Sequence, residues 1–266
     1  VLGKWRELAK ALLVPRTRWL LLASTVFIAV NWFIFLHGIE TNRAMQGSLG
    51  YFINPLFNAV LGVLLLGEQL RRAQVLALGV ATAGIGFVMV ASGELPWIAL
   101  GVASSFALYG LVRKLAPVDG LVGLGAETLL LAPLSAALLG WMLGKGEAEF
   151  LRDGTKDAML AASGVLTVLP LWFFVLAAKR LTLTALGFLQ YIGPTLQLIT
   201  AVFVFGEELT AVRLVGFVAV WAGLVMVTAE TLLRRSGGAS LAERARGPVV
   251  RTGPPVGIEQ AARDAR

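Results

Sequence analysis

The stretch INPLFNAVLGVLLLGEQL at residues 53–70 has a near copy, IGPTLQLITAVFVFGEEL, at residues 192–209. Both stretches begin with Ile-x-Pro, continue through mostly apolar residues and end in Gly-Glu-x-Leu. When residues 51–90 are laid over 190–229 at a constant shift of 139 positions, Val63, Ala83, Gly84 and Val88 also match without a gap. The proline and the Gly-Glu pair at the same interval indicate an internal repeat, because apolar composition alone would not place them so.

The composition of the chain is that of a membrane protein. Hydrophobic residues make up 57% of its 266 residues and charged residues only 15%, whereas soluble domains carry about a quarter charged residues. Polar residues separate eight apolar runs, most of them long enough to cross a hydrocarbon core of about 30 Å as helices. The sequence therefore predicts an all-α integral membrane protein, a polytopic helical bundle, whose runs cover approximately residues 19–37, 46–66, 73–92, 97–112, 121–144, 158–178, 183–205 and 212–233.

Positive charge is distributed unevenly between the loops. If the segment before the first run is cytoplasmic, 18 of the 23 Lys and Arg residues lie on the cytoplasmic side, as the positive-inside rule requires. The net charge of +7 therefore reports the orientation of the chain, with both the first segment and the last in the cytoplasm. No nucleic-acid partner is predicted.

The same charge distribution places the two copies of the repeat in opposite orientations. The second run and the seventh are five crossings apart, and an odd number of crossings inverts one copy relative to the other. Inverted repeats are typical of secondary transporters. In these proteins the same half of the fold occurs in both membrane orientations, and this supplies two states open to opposite sides. The repeat thus favours a carrier that works by alternating access, and the alternatives are a channel or a membrane scaffold without transport activity.

Enzyme chemistry finds little support in this sequence. There is no cysteine, a single histidine (His37) stands at the end of a run, and no Ser elbow or His/Asp/Glu cluster is present. No phosphate-binding loop motif occurs either, so an ion or solute gradient would have to drive any transport. We predict no metal and no cofactor, and the expected partners are a small-molecule solute and the lipid bilayer.

Polar side chains on the repeated helices are the candidate solute-binding groups. Tyr51, Asn54 and Asn58 are spaced three and four apart beside Pro55 and so share one helix face. Unpaired amides are expensive in hydrocarbon, so these groups should face the solute cavity or, as the alternative, join helices by hydrogen bonds. The substrate-binding candidates are Asn31, Trp32, Tyr51, Asn54, Asn58, Tyr109, Gln190, Tyr191 and Gln197.

Glu127 is the most informative charged residue. It lies about six residues into the fifth run, roughly 10 Å along a helix that rises 1.5 Å per residue. A carboxylate at that depth is costly and by default functional, so Glu127, with Arg113 near the neighbouring cytoplasmic end, is the candidate proton-coupling or charge site. A purely structural ion pair between the two is the alternative. Glu68 and Glu207, which close the two repeats, are predicted to make capping or gating contacts.

Small residues form a stripe in the third run. Gly79, Ala83 and Gly86 recur at helical spacing, and such faces let two backbones approach closely. We expect packing within the fold from this stripe, with a homodimer contact as the alternative.

Several motifs resemble those of a known transporter family. The pattern Pro-x11-Gly-Glu-x-Leu followed by a small-residue helix resembles the EamA family of the drug/metabolite transporter superfamily. The segments NWFIF at 31–35, SLGYFINPL at 48–56, YGLVRK at 109–114, ET at 127–128 and LGFLQYIGPTL at 186–196 are similar to its RarD branch, the chloramphenicol-sensitive or chloramphenicol-resistance permeases.

The resemblance implies ten transmembrane helices in two inverted five-helix repeats and a permease or efflux role in the bacterial inner (plasma) membrane. Eight helices of that pattern are expected here, with the first two absent. The implied organisation is a basic cytoplasmic segment at 1–18, a partial first repeat at 19–92, a second repeat at 93–233 and a disordered cytoplasmic tail at 234–266.

Overall fold

The structure is a computed structural model that describes residues 4–41, 43–93, 96–146, 148, 153–203 and 211–245. Within these ranges the chain is almost entirely α-helical and contains no strand, which confirms the predicted polytopic helical membrane protein. Five helices, α2, α4, α5, α6 and α7, are long and apolar enough to cross a membrane. The described helices are α1 (Trp5–Leu13), α2 (Pro15–Glu40), α3 (Ala44–Leu66), α4 (Arg72–Ser92), α5 (Trp97–Leu115), α6 (Gly120–Lys145), α7 (Gly154–Arg180), α8 (Leu183–Gln190), α9 (Ile192–Phe203) and α10 (Ala211–Ala245).

The basic segment before the first apolar run contains a helix of its own. In α1, Leu8 and Ala11 are buried against Leu21, Val122 and Ala126 of α2 and α6, while most of its other side chains are exposed. Apolar residues on one side and charged residues on the other are the pattern of an amphipathic helix. This helix therefore packs on the bundle through one face only.

The seventh apolar run is divided into two helices. The sequence predicted one continuous helix over 183–205, but α8 ends at Gln190 and α9 begins at Ile192. Pro194 has no N–H to donate to the carbonyl of Gln190, and Gly193 before it lowers the helix propensity further. At the equivalent position of the first copy, the residue before Pro55 is Asn54 and not glycine. Helix α3 continues through this proline.

The helices around the centre of the bundle pack in a clear order. Helix α5 packs against α2 and α3, α3 also packs against α8, and α4 packs against α10. Glycines allow the closest approaches: a Cβ atom on Gly50 would lie 3.0 Å from the carbonyl oxygen of Ala99, and one on Gly187 would lie 3.0 Å from Cα of Pro55. The backbone of α3 therefore lies close to that of α5 near the start of both helices, and close to that of α8 near the middle of both.

The small-residue stripe of α4 does not make the predicted packing contact. Gly79 and Ala83 are exposed, and a Cβ atom on Gly79 or Gly86 would meet no described atom within 4 Å. The close contact with α10 lies on the adjacent stripe, where a Cβ atom on Gly84 would lie 2.4 Å from Cβ of Ala219. Helical spacing identified a small-residue face, but it did not determine which of two neighbouring faces meets a partner.

The last helix extends past residue 233, where the apolar run ends, and continues to Ala245. Of the expected disordered tail at 234–266, residues 246–266 lie outside the described residues. Glu207 and its Gly-Glu motif also lie outside them. The division into a partial first repeat and a second repeat stays a prediction.

Candidate functional site

A cavity of about 410 Å³ lies near the middle of the bundle. Helices α2, α3 and α5 form one part of its wall, and α7 with the junction of α8 and α9 forms the other. The break in the seventh run thus borders the cavity, where Gln190 and Gly193 belong to the wall. The lining residues are Ile28, Asn31, Trp32, Phe35, Tyr51, Asn54, Phe106, Thr167, Pro170, Leu171, Phe174, Gln190 and Gly193.

Three amides join the two copies of the repeat at the cavity's edge. Nδ2 of Asn54 and Nδ2 of Asn58 both donate hydrogen bonds to Oε1 of Gln190, at 2.6 and 2.8 Å. Asn54 and Asn58 lie one helical turn apart on α3, and the close approach of Gly187 to Pro55 brings α8 near enough for Gln190 to reach both. Asn54 and Gln190 line the cavity, while Asn58 is fully buried behind them.

Two further predicted residues reach the cavity from α2. Asn31 is buried and donates hydrogen bonds to the carbonyl oxygen of Val102 at 2.8 Å and to Oγ of Ser105 at 3.1 Å. These bonds fasten α2 to α5, so Asn31 lines the cavity and also joins two helices. Trp32 lines the cavity as well and is 42% exposed.

Aromatic rings supply much of the remaining wall. Tyr51, a predicted residue, meets Phe35 edge to face with 6.0 Å between ring centroids. Phe106 and Phe174, which sequence reasoning missed, lie 4.8 Å apart. Aromatic residues are common in membrane helices, and nothing in their spacing separates these two from ordinary packing residues.

The other predicted tyrosines do not line the cavity. Tyr109 is fully buried behind the wall, where its ring stacks on Phe174 at 6.0 Å. Tyr191 is 1% exposed and packs in a cluster with Ala77, Ala81 and Phe188. The side chain of Gln197 lies outside the described part of the structure.

Glu127 and Arg113 form a buried ion pair behind this aromatic layer. Nε of Arg113 lies 3.4 Å from Oε1 of Glu127, and both side chains are almost completely buried. Ser24 donates a hydrogen bond to Oε1 at 2.6 Å, and the hydroxyl of Tyr109 donates one to Oε2 at 3.4 Å. The structure thus contains the ion pair that sequence reasoning considered, together with Ser24, which it missed. Ser24 and Asn31 are seven residues apart on α2, a spacing that could have identified them as one polar face.

The guanidinium group of Arg113 occupies a space that only glycine leaves open. A Cβ atom on Gly123 would lie 1.8 Å from Nη1 of Arg113. The Nη2 atom donates a hydrogen bond to the carbonyl oxygen of Gly120 at 3.0 Å. The first turn of α6 therefore holds the cation that faces Glu127.

Glu68 caps the start of α8, which is one of the two kinds of contact, capping or gating, that the sequence predicted. Gly67 ends α3 with a left-handed φ of 65°, and the carboxylate that follows accepts hydrogen bonds from the backbone N–H groups of Leu183 at 2.6 Å and Thr184 at 3.1 Å. These groups are the unpaired donors at the start of α8. The Gly-Glu motif thus ends α3 and, through Glu68, caps the start of α8.

Two lysines connect the ends of α5 and α7 beside this cap. Lys114 donates hydrogen bonds to the carbonyl oxygens of Ala178 and Leu181 at the end of α7. Lys179 donates in return to those of Ala116 and Val118 after the end of α5. Cations at the C-terminal ends of helices are favourable, so this end of the bundle is held together by charged contacts between helices.

Comparisons with known proteins identify relatives of the chain. Residues 2–90 match the EamA-like transporter family. An uncharacterized transporter of Vibrio cholerae is 41% identical over 230 residues, which are 86% of this chain and 76% of that protein. Protein RarD of Salmonella typhi is 40% identical over 86% of this chain and 78% of its own length.

A more distant relative and one solved structure agree with these matches. The chloramphenicol-sensitive protein RarD of Pseudomonas aeruginosa is 27% identical over 76% of this chain and 68% of its own. A crystal structure with 20% sequence identity superposes with a TM-score of 0.61 and covers 85% of this chain and 80% of that one. At this identity the likeness shows the fold alone.

Proposed function

The chain belongs to the EamA-like transporter family, as a RarD-like membrane transporter of the drug/metabolite superfamily, and on that premise we propose that it is a secondary-active permease. It exports a small organic metabolite or drug by alternating access between two inverted repeats. Its place is the bacterial inner membrane, with the segment before α2 and the end of the chain in the cytoplasm. It is a carrier and not an enzyme.

The contact of Asn54 and Asn58 with Gln190 carries this proposal. The two asparagines belong to the first copy of the sequence repeat and Gln190 to the second, and both asparagines donate to the same glutamine oxygen at the edge of one cavity. A relative movement of the two repeats must change or break these bonds. A solute bound between the repeats would therefore contact the groups that alternating access rearranges.

Glu127 is the coupling site in this proposal. Its carboxylate lies behind the cavity wall, and Tyr109 connects the two regions, since its hydroxyl contacts Glu127 and its ring stacks on the cavity residue Phe174. Protonation of Glu127 would remove the negative charge that Arg113 faces. A change in the ion pair could then reach the cavity through the position of the Tyr109 ring.

The test is an untargeted comparison of solutes in the medium of cells that express the protein, Glu127→Gln or Asn54→Ala at matched levels. A solute enriched outside the cells only with the parent protein would support an exporter with these residues in its working site. Equal enrichment with all three proteins would remove Glu127 and Asn54 from the proposal. If none of the three causes enrichment, the exporter role is contradicted.

A further inference from the structure

The buried hydroxyl group of Ser24 has two acceptors within reach and a single hydrogen to donate. Its Oγ atom lies 2.6 Å from Oε1 of Glu127 and 3.0 Å from the carbonyl oxygen of Leu21, three residues earlier on α2. A serine hydroxyl donates one hydrogen bond and has two lone pairs with which to accept others. Its hydrogen can therefore point to the carboxyl group or to the carbonyl oxygen, but not to both.

An ionised Glu127 draws this hydrogen to itself. A carboxylate can only accept hydrogen bonds, and an O–H bond to a charged acceptor is shorter and stronger than one to a neutral acceptor. The distance of 2.6 Å between Oγ of Ser24 and Oε1 lies in the range of such charge-assisted bonds. The carbonyl oxygen of Leu21 keeps another hydroxyl donor in this state, because Oγ1 of Thr25 lies 2.7 Å from it.

A protonated Glu127 needs the opposite, an acceptor for its new O–H group. The Oγ atom of Ser24 already lies at hydrogen-bond distance from Oε1. When the serine hydrogen turns to the carbonyl oxygen of Leu21, Oγ is free to accept from the carboxyl group. The proton that comes from water stays on Glu127, and Ser24 keeps its own hydrogen, so no covalent bond of the serine changes.

Among the described residues, Ser24 alone combines a short distance to the carboxyl group with both hydrogen-bonding capacities. Arg113, with Nε 3.4 Å from Oε1, has no acceptor atom. The hydroxyl of Tyr109 can donate and accept, but it contacts the other carboxyl oxygen, Oε2, at 3.4 Å, a long distance for such a bond. The proton on Oε1 therefore depends on Ser24 for its partner.

The charged groups around Glu127 are held by other partners. Arg113 donates from Nη2 to the carbonyl oxygen of Gly120, and it lies in the last turn of α5, where a cation is favourable. On α1, Lys4 pairs with Asp119 at 3.4 Å. On α7, Lys179 donates to carbonyl oxygens after the end of α5, and the arginines at the start of α2 are exposed.

We propose, on the basis of the coupling role proposed above for Glu127, that Ser24 is the positioning residue of the coupling site. Its hydroxyl group reverses direction each time Glu127 gains or loses a proton. Both states of the buried carboxyl group thus have a hydrogen-bond partner at the same atom. An unsatisfied buried polar group is costly, so without this reversal the protonated state would be disfavoured.

The test is infrared difference spectroscopy of the purified protein in lipid nanodiscs, recorded as the pH is lowered. Protonation of a carboxylate produces the carbonyl stretching band of a carboxylic acid, and the band that Glu127→Gln removes belongs to Glu127. In Ser24→Ala this band should shift to higher frequency, because the protonated carboxyl group has lost its acceptor. A purely structural role of Ser24 would not move the band of one carboxyl group.

Two control variants remove hydroxyl groups that bond to helix carbonyl oxygens and not to Glu127. Thr25→Val removes the other hydroxyl bonded to Leu21. Ser163→Ala, at an exposed position of α7, removes a hydroxyl bonded to the carbonyl oxygen three residues earlier, as in Ser24. Both should keep the band of the parent protein. An unmoved band in Ser24→Ala, an equal shift in Thr25→Val, or no band that Glu127→Gln removes would each overturn the inference.

Transport separates this inference from the proposed function. The pH dependence of transport is measured in proteoliposomes with the solute that the comparison of media identifies. An unmoved band in Ser24→Ala, with pH-dependent transport that Glu127→Gln abolishes, would support the coupling site and overturn the role of Ser24. A band that shifts as expected, with transport that does not depend on pH, would support the reversal at Ser24 and contradict Glu127 as the coupling site.

Discussion

Gln190 is the residue on which the contact between the repeats depends. Its Oε1 atom accepts from two asparagines on one face of α3, so a single side chain satisfies two buried donors. An apolar residue there would leave both NH2 groups without this acceptor. The cluster is therefore expected to contribute to stability as well as to binding.

Gln190→Leu should lower the free energy of unfolding by about 1–3 kcal/mol, the usual cost of unsatisfied buried polar groups. Thermal unfolding in lipid nanodiscs, compared with the Ser163→Ala control, measures the difference. An unchanged transition would mean that Asn54 and Asn58 find other partners and that the shared acceptor is unimportant.

Glu127→Gln should abolish the pH dependence of transport if the carboxylate is the coupling site. The same change leaves the buried Arg113 without its counterion, and removing one partner of a buried ion pair costs about 3–5 kcal/mol. Transport measured against external pH, together with thermal unfolding, separates the two effects.

A double variant provides the control for that measurement. Arg113→Met combined with Glu127→Met removes both charges and should recover much of the lost stability, because replacing a buried pair by apolar residues is often neutral. The pH dependence of transport should stay absent in the double variant. Recovery of pH-dependent transport in the double variant would assign the pair a purely structural role.

At the scale of the element, the repeated Gly-Glu motif has a structural explanation in its first copy. Gly67 supplies the left-handed backbone that ends α3, and Glu68 satisfies two N–H groups at the start of α8. An apolar helix that is followed by Gly-Glu can therefore be fixed to another helix at its end. Sequence reasoning predicted a capping or gating contact for Glu68 but could not identify the helix that it caps.

Glu68→Ala should weaken the start of α8 by about 0.5–2 kcal/mol, the range measured for loss of an N-terminal cap. Amide hydrogen exchange at Leu183 and Thr184 should become faster, while exchange in the middle of α5 stays unchanged. Equal acceleration throughout the bundle would indicate general destabilisation in place of a local cap.

At the scale of the molecule, the apolar runs predicted most of the helices, because membrane helices must satisfy their backbone hydrogen bonds internally. The spacing of Asn54 and Asn58 also predicted a shared polar face. Apolar pattern alone could not predict the break at Tyr191, since α3 passes through the equivalent Pro55 unbroken. Nor could it select Phe106 and Phe174 for the wall, because packing and cavity aromatics look alike in a sequence.

The central claim, that the cavity opens to the two sides of the membrane in turn, can be tested without knowledge of the solute. The sequence has no cysteine, so Thr167→Cys would place a single thiol in the cavity wall. Thr82→Cys, on the exposed face of α4 and away from the cavity, is the control. A membrane-impermeant maleimide is applied to right-side-out and to inside-out vesicles.

We predict that the thiol at position 167 reacts with the maleimide from both sides of the membrane. The control thiol at position 82 should react from neither side, and the reagent should not cross the membrane. Reaction at position 167 from one side only would contradict alternating access and favour a static scaffold. Passage of the reagent across the membrane would indicate a channel.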